Sequence, residues 1–194
     1  MDELKNELIL GGQKSGKSGR AELLARDWLA ASPQHRAVLI ATAQPWDDEM
    51  RARITRHQAD RAQRVPGMTT VEEPLALAEA IAQHSHAHVM VVVDCLTLWL
   101  TNLLMPALGQ NLEQKGPQKQ AGKAWLAPLL VAIDKAPGPV VLVGNEIGLG
   151  VIPLGAEVRA FVDALGQLNQ AVAQACPRVT LMAAGLPLML KGEL

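Results

Sequence analysis

Residues 8–18 read Leu-Ile-Leu-Gly-Gly-Gln-Lys-Ser-Gly-Lys-Ser, and this stretch constrains the fold more than any other. It fits the pattern G-x-x-x-x-G-K-[ST], with Gly11, Gly16, Lys17 and Ser18 in the specified places. Glycines let backbone N–H groups approach phosphate oxygens, and the N-terminus of a following helix adds its positive dipole end. An apolar run before the loop and helical spacing of apolar residues after it predict strand, loop and helix, which is the context that the motif requires.

This loop predicts a nucleotide site. Lys17 is expected to reach the β- and γ-phosphates and to act in catalysis, while the Ser18 hydroxyl is expected to bind Mg²⁺. The residues of the loop that we expect to contact nucleotide are Gly11, Gly12, Gln13, Lys14, Ser15, Gly16, Lys17 and Ser18.

Apolar runs of strand length alternate with helical patterns along the chain. The predicted strands are 7–10, 37–41, 69–71, 89–93, 139–143 and 179–184. The predicted helices, after the one that follows the loop, are 47–64, 75–83, 96–104, 121–136 with a bend or break at Pro128, and 156–175. This alternation predicts an α/β fold with a mostly parallel sheet flanked by helices. With the phosphate-binding loop, the expected type is P-loop NTPase-like (RecA-like). We expect a flexible N-terminus over 1–6 and a single domain over 7–194, with a loop over 105–118.

The composition and the charge of the chain limit which partners and which cellular compartment can be expected. The 194 residues carry a net charge of −1, so no broad positive field favours nucleic acid. The apolar stretch 89–108 contains Asp94 and Pro106, which fit a buried strand leading into a helix better than a membrane span. Residues 1–6 are charged and lack the apolar core of a signal peptide, so a cytoplasmic location is expected.

In parallel sheets ligands bind at the carboxyl ends of strands, which selects several further residues. Asp94 ends the most apolar strand, where P-loop proteins place a carboxylate that organises Mg²⁺; the alternative is an N-cap for the helix that follows. Thr42 is expected, with Asp94, to contact the nucleotide. Arg53, whose charge attracts triphosphate oxygens, and Glu73 are also expected nucleotide contacts, although this rule does not select them. Glu146 could contact metal, substrate or base, or could only cap a turn.

His57 lies within the predicted helix 47–64 among several arginines. An isolated histidine on a helix is more often a packed or rim residue, and a charged, solvated helix explains the arginines equally well. A functional alternative is that these cations attract triphosphate oxygens while the imidazole attacks phosphorus. Periodicity does not decide between the two.

Several separated segments occur in an order that resembles one family. They are 11–18 (GGQKSGKS), 40–44 (IATAQ), 47–50 (DDEM), 53–57 (RITRH), 70–74 (TVEEP), 93–104 (VDCLTLWLTNLL), 145–150 (NEIGLG) and 184–188 (AGLPL). Together they resemble the bifunctional adenosylcobinamide kinase / adenosylcobinamide-phosphate guanylyltransferases of cobalamin biosynthesis. The resemblance extends over about residues 8–191, and the ordered set is far more specific than the P-loop alone.

The resemblance implies two reactions and a set of partners. Adenosylcobinamide would be phosphorylated by ATP or GTP, and GMP from GTP would pass through a guanylyl-histidine to adenosylcobinamide phosphate, giving adenosyl-GDP-cobinamide. His57 matches the family's nucleophile, Lys17 and Ser18 its phosphate and Mg²⁺ contacts, and Asp94 its second-strand acid. A homo-oligomer, specifically a trimer, is also implied.

Two other functions compete with this expectation. One is a P-loop small-molecule kinase that forms no covalent nucleotide, from which only a nucleophilic His57 would distinguish the protein. The other is a nucleotide-binding switch or assembly protein, against which stands the lack of an Asn-Lys-x-Asp guanine motif in the sequence.

Overall fold

The computed structural model describes residues 6–45, 48–105, 124–151 and 153–192, except for the side chains of Met50 and Arg53. The strands are β1 (Glu7–Gly11), β2 (Arg36–Ala41), β3 (Met68–Glu72), β4 (Val89–Asp94), β5 (Val140–Asn145), β6 (Arg178–Ala183) and β7 (Leu186–Lys191). The helices are α1 (Lys17–Ala31), α2 (Asp48–Arg64), α3 (Leu77–His84), α4 (Leu96–Leu104), α5 (Leu126–Lys135) and α6 (Ala156–Ala175).

The strands form one sheet in the order β3-β2-β4-β5-β1-β6-β7. All neighbours pair in parallel except β6 and β7, which are antiparallel. The predicted α/β class with a mostly parallel sheet is therefore confirmed. Because β1 lies inside the sheet beside β5, the loop that follows β1 emerges next to the carboxyl ends of β5 and β4.

Apolar side chains cover both faces of the sheet, as its continuous apolar strands predict. On β1, Leu8 and Leu10 belong to a core that includes buried residues of α3, α4, α5 and α6. Ile9 points to the opposite face, where it joins a second core with Ala21, Leu24 and other residues of α1. The helix that follows the phosphate-binding loop thus packs on the face of the sheet opposite the larger helical layer.

Two predicted helices begin later than expected. The helix predicted from residue 75 begins at Leu77, because the Glu73 carboxylate accepts hydrogen bonds from the backbone N–H groups of Leu75 and Ala76 and holds them in a turn. The helix predicted from residue 121 begins at Leu126. Pro128 therefore lies in its first turn, where no N–H is needed, and does not interrupt it. Residues 106–123, which include most of the predicted loop, lie outside the described residues.

The strand β7 is a correction to the sequence analysis, which ended the sheet at residue 184. The chain turns at Ala184 and Gly185 and pairs back on β6, with Met182 opposite Pro187. Proline cannot donate to a sheet ladder and is tolerated on an edge strand, which is where β7 lies.

The start of the described chain is held by three hydrogen bonds of Asn6. Its amide donates to the carbonyl of Ile133, its side-chain oxygen accepts from the N–H of Val140, and its carbonyl accepts from the N–H of Arg178. The other five residues of the predicted flexible N-terminus lie outside the described residues. Among the helices that the structure describes, none has the length and apolar character needed to cross a membrane.

Candidate nucleotide site

The P-loop, residues 11–18, connects β1 to the first turn of α1. Gly11 and Gly16 have φ angles of 154° and 102°, which side chains rarely adopt. The Ser15 carbonyl accepts from the N–H of Gly185 at 3.0 Å, and the Gly11 carbonyl accepts from the N–H of Glu146 at 3.1 Å. The turns that follow β5 and β6 thus hold the loop in place.

Lys17 lies folded into the P-loop. Its ammonium donates to the Gly12 carbonyl at 2.5 Å and to the Ser15 hydroxyl at 3.5 Å. Burial lowers the pKa of Lys17, while charge on Cys95 and Asp94 opposes this change. Phosphate oxygens in the loop would favour the charged form and supply better acceptors than a single carbonyl.

Ser18 and Asp94 meet at the end of β4. The Ser18 hydroxyl donates to Oδ2 of Asp94 at 3.2 Å. This bond joins the first turn of α1 to β4, which lies two strands from β1 in the sheet. A hydroxyl and a carboxylate are hard oxygen donors of the kind that Mg²⁺ prefers. Within the described chain no group of three or more His, Cys, Asp and Glu could hold a metal by itself.

Thr42 is fully buried, and its hydroxyl bonds to the backbone. It donates to the Cys95 carbonyl at 2.7 Å and accepts from the Cys95 N–H at 2.9 Å. The side chain of Asn102 donates to the Thr42 carbonyl at 2.8 Å. These bonds join the ends of β2 and β4 next to Asp94. The nucleotide contact expected of Thr42 stays a prediction.

Glu73 and Glu146 also make local bonds. Glu73 caps the turn before α3, as described above, and Oε1 of Glu146 accepts from the N–H of Gly148 at 2.9 Å. Glu146 lies beside the start of the P-loop, and its Oε2 lies 3.5 Å from the amide nitrogen of Asn169. The capping alternative for Glu146 is therefore present in the structure.

His57 is exposed on α2, one helical turn before Arg61. Arg53, the other residue of this helix predicted to contact nucleotide, has no described side chain. An exposed imidazole is accessible to a substrate. The structure brings Lys17, Ser18 and Asp94 together, whereas it places His57 on a separate helix that packs on α1.

Sequence reasoning missed one charged group near the site, Glu22. It is buried on α1 and contacts Arg61 and Arg64 of α2. The available signal was its place next to Ala21, between residues of the apolar stripe of α1, where an acid requires a cationic partner. Which arginines supply that partner depends on the packing of α2, which the sequence does not give.

Two known proteins are similar in sequence to this chain over nearly its full length. The bifunctional adenosylcobalamin biosynthesis protein CobP of Pseudomonas aeruginosa is 47% identical over 188 residues, covering 96% of this chain and 98% of that protein. The bifunctional adenosylcobalamin biosynthesis protein CobU of Escherichia coli is 35% identical over 187 residues, covering 95% of this chain and 98% of that protein.

The fold has a more distant structural relative. The crystal structure of the flagellar accessory protein FlaH from Methanocaldococcus jannaschii superposes with a TM-score of 0.52 at 9% identity, covering 97% of this chain and 79% of that one. This likeness concerns the fold alone.

A model of one protein family matches nearly the whole sequence, over residues 7–190. Its description is cobinamide kinase / cobinamide phosphate guanyltransferase. Together with the two curated relatives, this match shows that the chain belongs to the cobinamide kinase / cobinamide phosphate guanyltransferase family.

Proposed function

We propose that this protein phosphorylates adenosylcobinamide with ATP or GTP and transfers GMP from GTP to adenosylcobinamide phosphate, giving adenosyl-GDP-cobinamide. The observation that carries the proposal is the family match over residues 7–190, which includes the P-loop, Asp94 and His57. A cytoplasmic location accompanies it, because both reactions consume nucleoside triphosphates.

In the kinase step, the substrate hydroxyl oxygen attacks the γ-phosphorus and the bond to the nucleoside diphosphate breaks. The P-loop N–H groups and Lys17 bind the phosphates and stabilise the charge that spreads over the transferred group. Lys17 exchanges its bond to the Gly12 carbonyl for bonds to phosphate oxygens. Asp94 lies beside the P-loop, where Ser18 and the Thr42 bonds to Cys95 hold it.

Ser18 and Asp94 are the residues that would hold Mg²⁺. When bound, the ion neutralises phosphate charge and helps to orient the leaving group.

In the guanylyl step, a ring nitrogen of His57 attacks the α-phosphorus of GTP, and the bond to the bridging oxygen breaks with release of pyrophosphate. A phosphate oxygen of adenosylcobinamide phosphate then attacks the same phosphorus and restores the imidazole. Dividing the transfer in this way replaces one difficult displacement by two easier ones. The exposure of His57 on α2 and its match to the family's motif support this role.

The test is to incubate the protein with Mg²⁺ and GTP labelled at the α-phosphate, then denature it and measure the intact mass and the bound label. We expect an acid-labile adduct on the wild type that is absent from His57→Ala. The control is His86→Ala, which removes another exposed histidine remote from the P-loop in sequence and should keep the adduct.

The other outcomes are informative. If no adduct forms while adenosylcobinamide is still phosphorylated, the protein is a kinase without guanylyl transfer and His57 loses its role. If neither reaction occurs and nucleotide turnover is indifferent to adenosylcobinamide, the protein is a nucleotide-binding switch or assembly protein.

We further propose a homo-oligomer, by resemblance a trimer. Large apolar side chains between β5 and α6 support it, since Val151 and Leu154 are each 97% exposed in the single chain. Light scattering after size exclusion should give three times the monomer mass, and a monomer at working concentration would contradict the proposal.

A further inference from the structure

Glu22 is a buried acid that links the two helices of the proposed guanylyl transfer. It is 6% exposed and lies on α1, five residues after Lys17 and four after Ser18. Burial raises the pKa of Glu22, and the charges of Arg64 and Arg61 oppose this change. A carboxylate in such a place needs cationic partners, and both of them come from α2.

The contacts between Glu22 and α2 form a two-arginine clamp, which consists of Glu22, Arg61 and Arg64. Arg64 forms an ion pair with Nε 2.8 Å from Oε2, and its Nη2 donates a hydrogen bond to Oε1 at 3.3 Å. Arg61, itself 8% exposed, places Nε 3.9 Å from Oε1. Arg61 also lies 3.4 Å from the Thr70 hydroxyl of β3.

The clamp is close to His57 along the helix. Arg61 follows His57 by four residues, which is about one turn, or about 6 Å along the axis. Among the side chains that the structure describes, hydrogen bonds and ion pairs from α2 to other elements begin at Gln58, which donates to Glu72 at 3.3 Å. The contacts of Gln58, Arg61 and Arg64 thus hold α2 on the C-terminal side of His57.

The other end of the connection is the P-loop. α1 begins with Lys17, whose ammonium lies in the loop, and with Ser18, which bonds to Asp94. Since a helix is rigid over one turn, Glu22 has a fixed position relative to the phosphates that the loop would bind. The clamp thus joins the helix that holds the phosphates to the helix that carries the attacking imidazole.

We infer that Glu22 is a positioning residue for guanylyl transfer, which holds α2 on α1 so that the His57 imidazole is aligned with the α-phosphate of GTP. This inference rests on the proposed role of His57. Glu22 is assigned no contact with substrate, and the kinase reaction, which does not use His57, does not depend on the alignment.

The experiment compares Glu22→Gln with Glu7→Gln. Glu7 is a matched control because it is also buried and lies near two arginines, Arg20 and Arg178, but contacts no residue of α2 among the described ones. For Glu22→Gln we expect the single-turnover rate of guanylyl-enzyme formation to fall about 10- to 100-fold, since small misplacements of reacting groups cost rates of this size. Phosphorylation of adenosylcobinamide by the same sample should change less than about threefold, and Glu7→Gln should keep the ratio of the two rates.

Two further variants distinguish a positioning role of Glu22 from a general loss of folding. Glu22→Asp keeps the charge and should recover part of the guanylylation rate. If Glu22→Gln does not fold, Arg64→Gln removes the half-exposed arginine that makes the shortest ion-pair contact with Glu22, and it should give the same selective loss.

Equal losses in both reactions, or no loss in either, would overturn the inference. The wild type and His57→Ala are measured alongside. If the wild type forms no His57-dependent adduct, the proposed function fails; if it forms one whose rate is indifferent to Glu22, only the positioning role fails.

Discussion

Gly11 and Gly12 are adjacent in the P-loop but have different surroundings. A Cβ added at Gly11 would lie 2.5 Å from the Met182 carbonyl oxygen and 2.5 Å from the Ser15 hydroxyl, and its φ angle disfavours any side chain. A Cβ at Gly12 would meet no atom within 4 Å. The first glycine of the motif is therefore required by the close approach of β6, before any nucleotide is considered.

We predict that Gly11→Ala lowers the free energy of unfolding by about 1–3 kcal/mol or more, the usual cost of a strained backbone position. Gly12→Ala should change it by less than about 1 kcal/mol, because nothing is displaced and the unfolded chain loses entropy. Urea unfolding of the two variants measures the difference. Equal stability would show that the contact between Gly11 and β6 is not maintained in solution.

Among the strands, the ends of β2 and β4 are joined by the side chain of Thr42 in addition to the backbone ladder. Thr42 both donates to and accepts from the backbone of Cys95, the residue after Asp94, and Thr42 N–H donates to the Asp94 carbonyl at 3.1 Å. A single side chain thus satisfies two buried backbone groups next to the proposed Mg²⁺ ligand.

We predict that Thr42→Val lowers the free energy of unfolding by about 2–3 kcal/mol, because it leaves the buried Cys95 N–H and carbonyl without that partner at nearly constant volume. Thr42→Ser, which keeps the hydroxyl, is the control and should cost less. Denaturant unfolding and nucleotide titration are both needed. If the two variants are equally stable but only Thr42→Val binds nucleotide weakly, the direct contact predicted from the sequence is correct.

At the scale of the whole molecule, each of the two cysteines lies in the core on a different face of the sheet, so its reactivity measures the exposure of that core. Both thiols are free and buried, with Cys95 in the core beside α1 and Cys176 in the core of the opposite helical layer. Burial raises the pKa of Cys95 to about 11, with a further increase from the nearby Asp94 carboxylate. Burial raises the pKa of Cys176 to about 12.

We predict that neither thiol reacts with a thiolate-directed reagent in the native protein at pH 8, since both stay protonated and covered. On unfolding the pKa returns to about 8.5, so each thiol becomes reactive. The sign follows from this shift: raising the pH toward 11 favours the unfolded state, because the unfolded chain releases thiol protons that the native protein keeps.

A second experiment measures thiol labelling as a function of urea concentration in the single-thiol variants Cys95→Ala and Cys176→Ala. The two variants should have one common midpoint if residues 7–194 form the predicted single domain; separate midpoints would show two units.

The residues of the phosphate loop and the alternation of strands and helices could be read from the sequence, because both follow from local rules. A glycine pattern requires particular backbone angles, and continuous apolar runs require burial on both faces. Lys17, Ser18 and Asp94 were accordingly brought together as expected. The ends of elements were less predictable, since a capping carboxylate at Glu73 and a proline in a first turn shift a helix start by several residues.

The sequence by itself determined the fold class and, through its ordered motifs, the family. Only the tertiary structure decided the order of the strands, the antiparallel edge strand β7, the use of the Thr42 hydroxyl by Cys95, and the pairing of Glu22 with Arg61 and Arg64. The physical reason is the distance along the chain. Local propensities act within a few residues, whereas these contacts join groups 39 or more residues apart, or depend on which strand lies at the edge of the sheet.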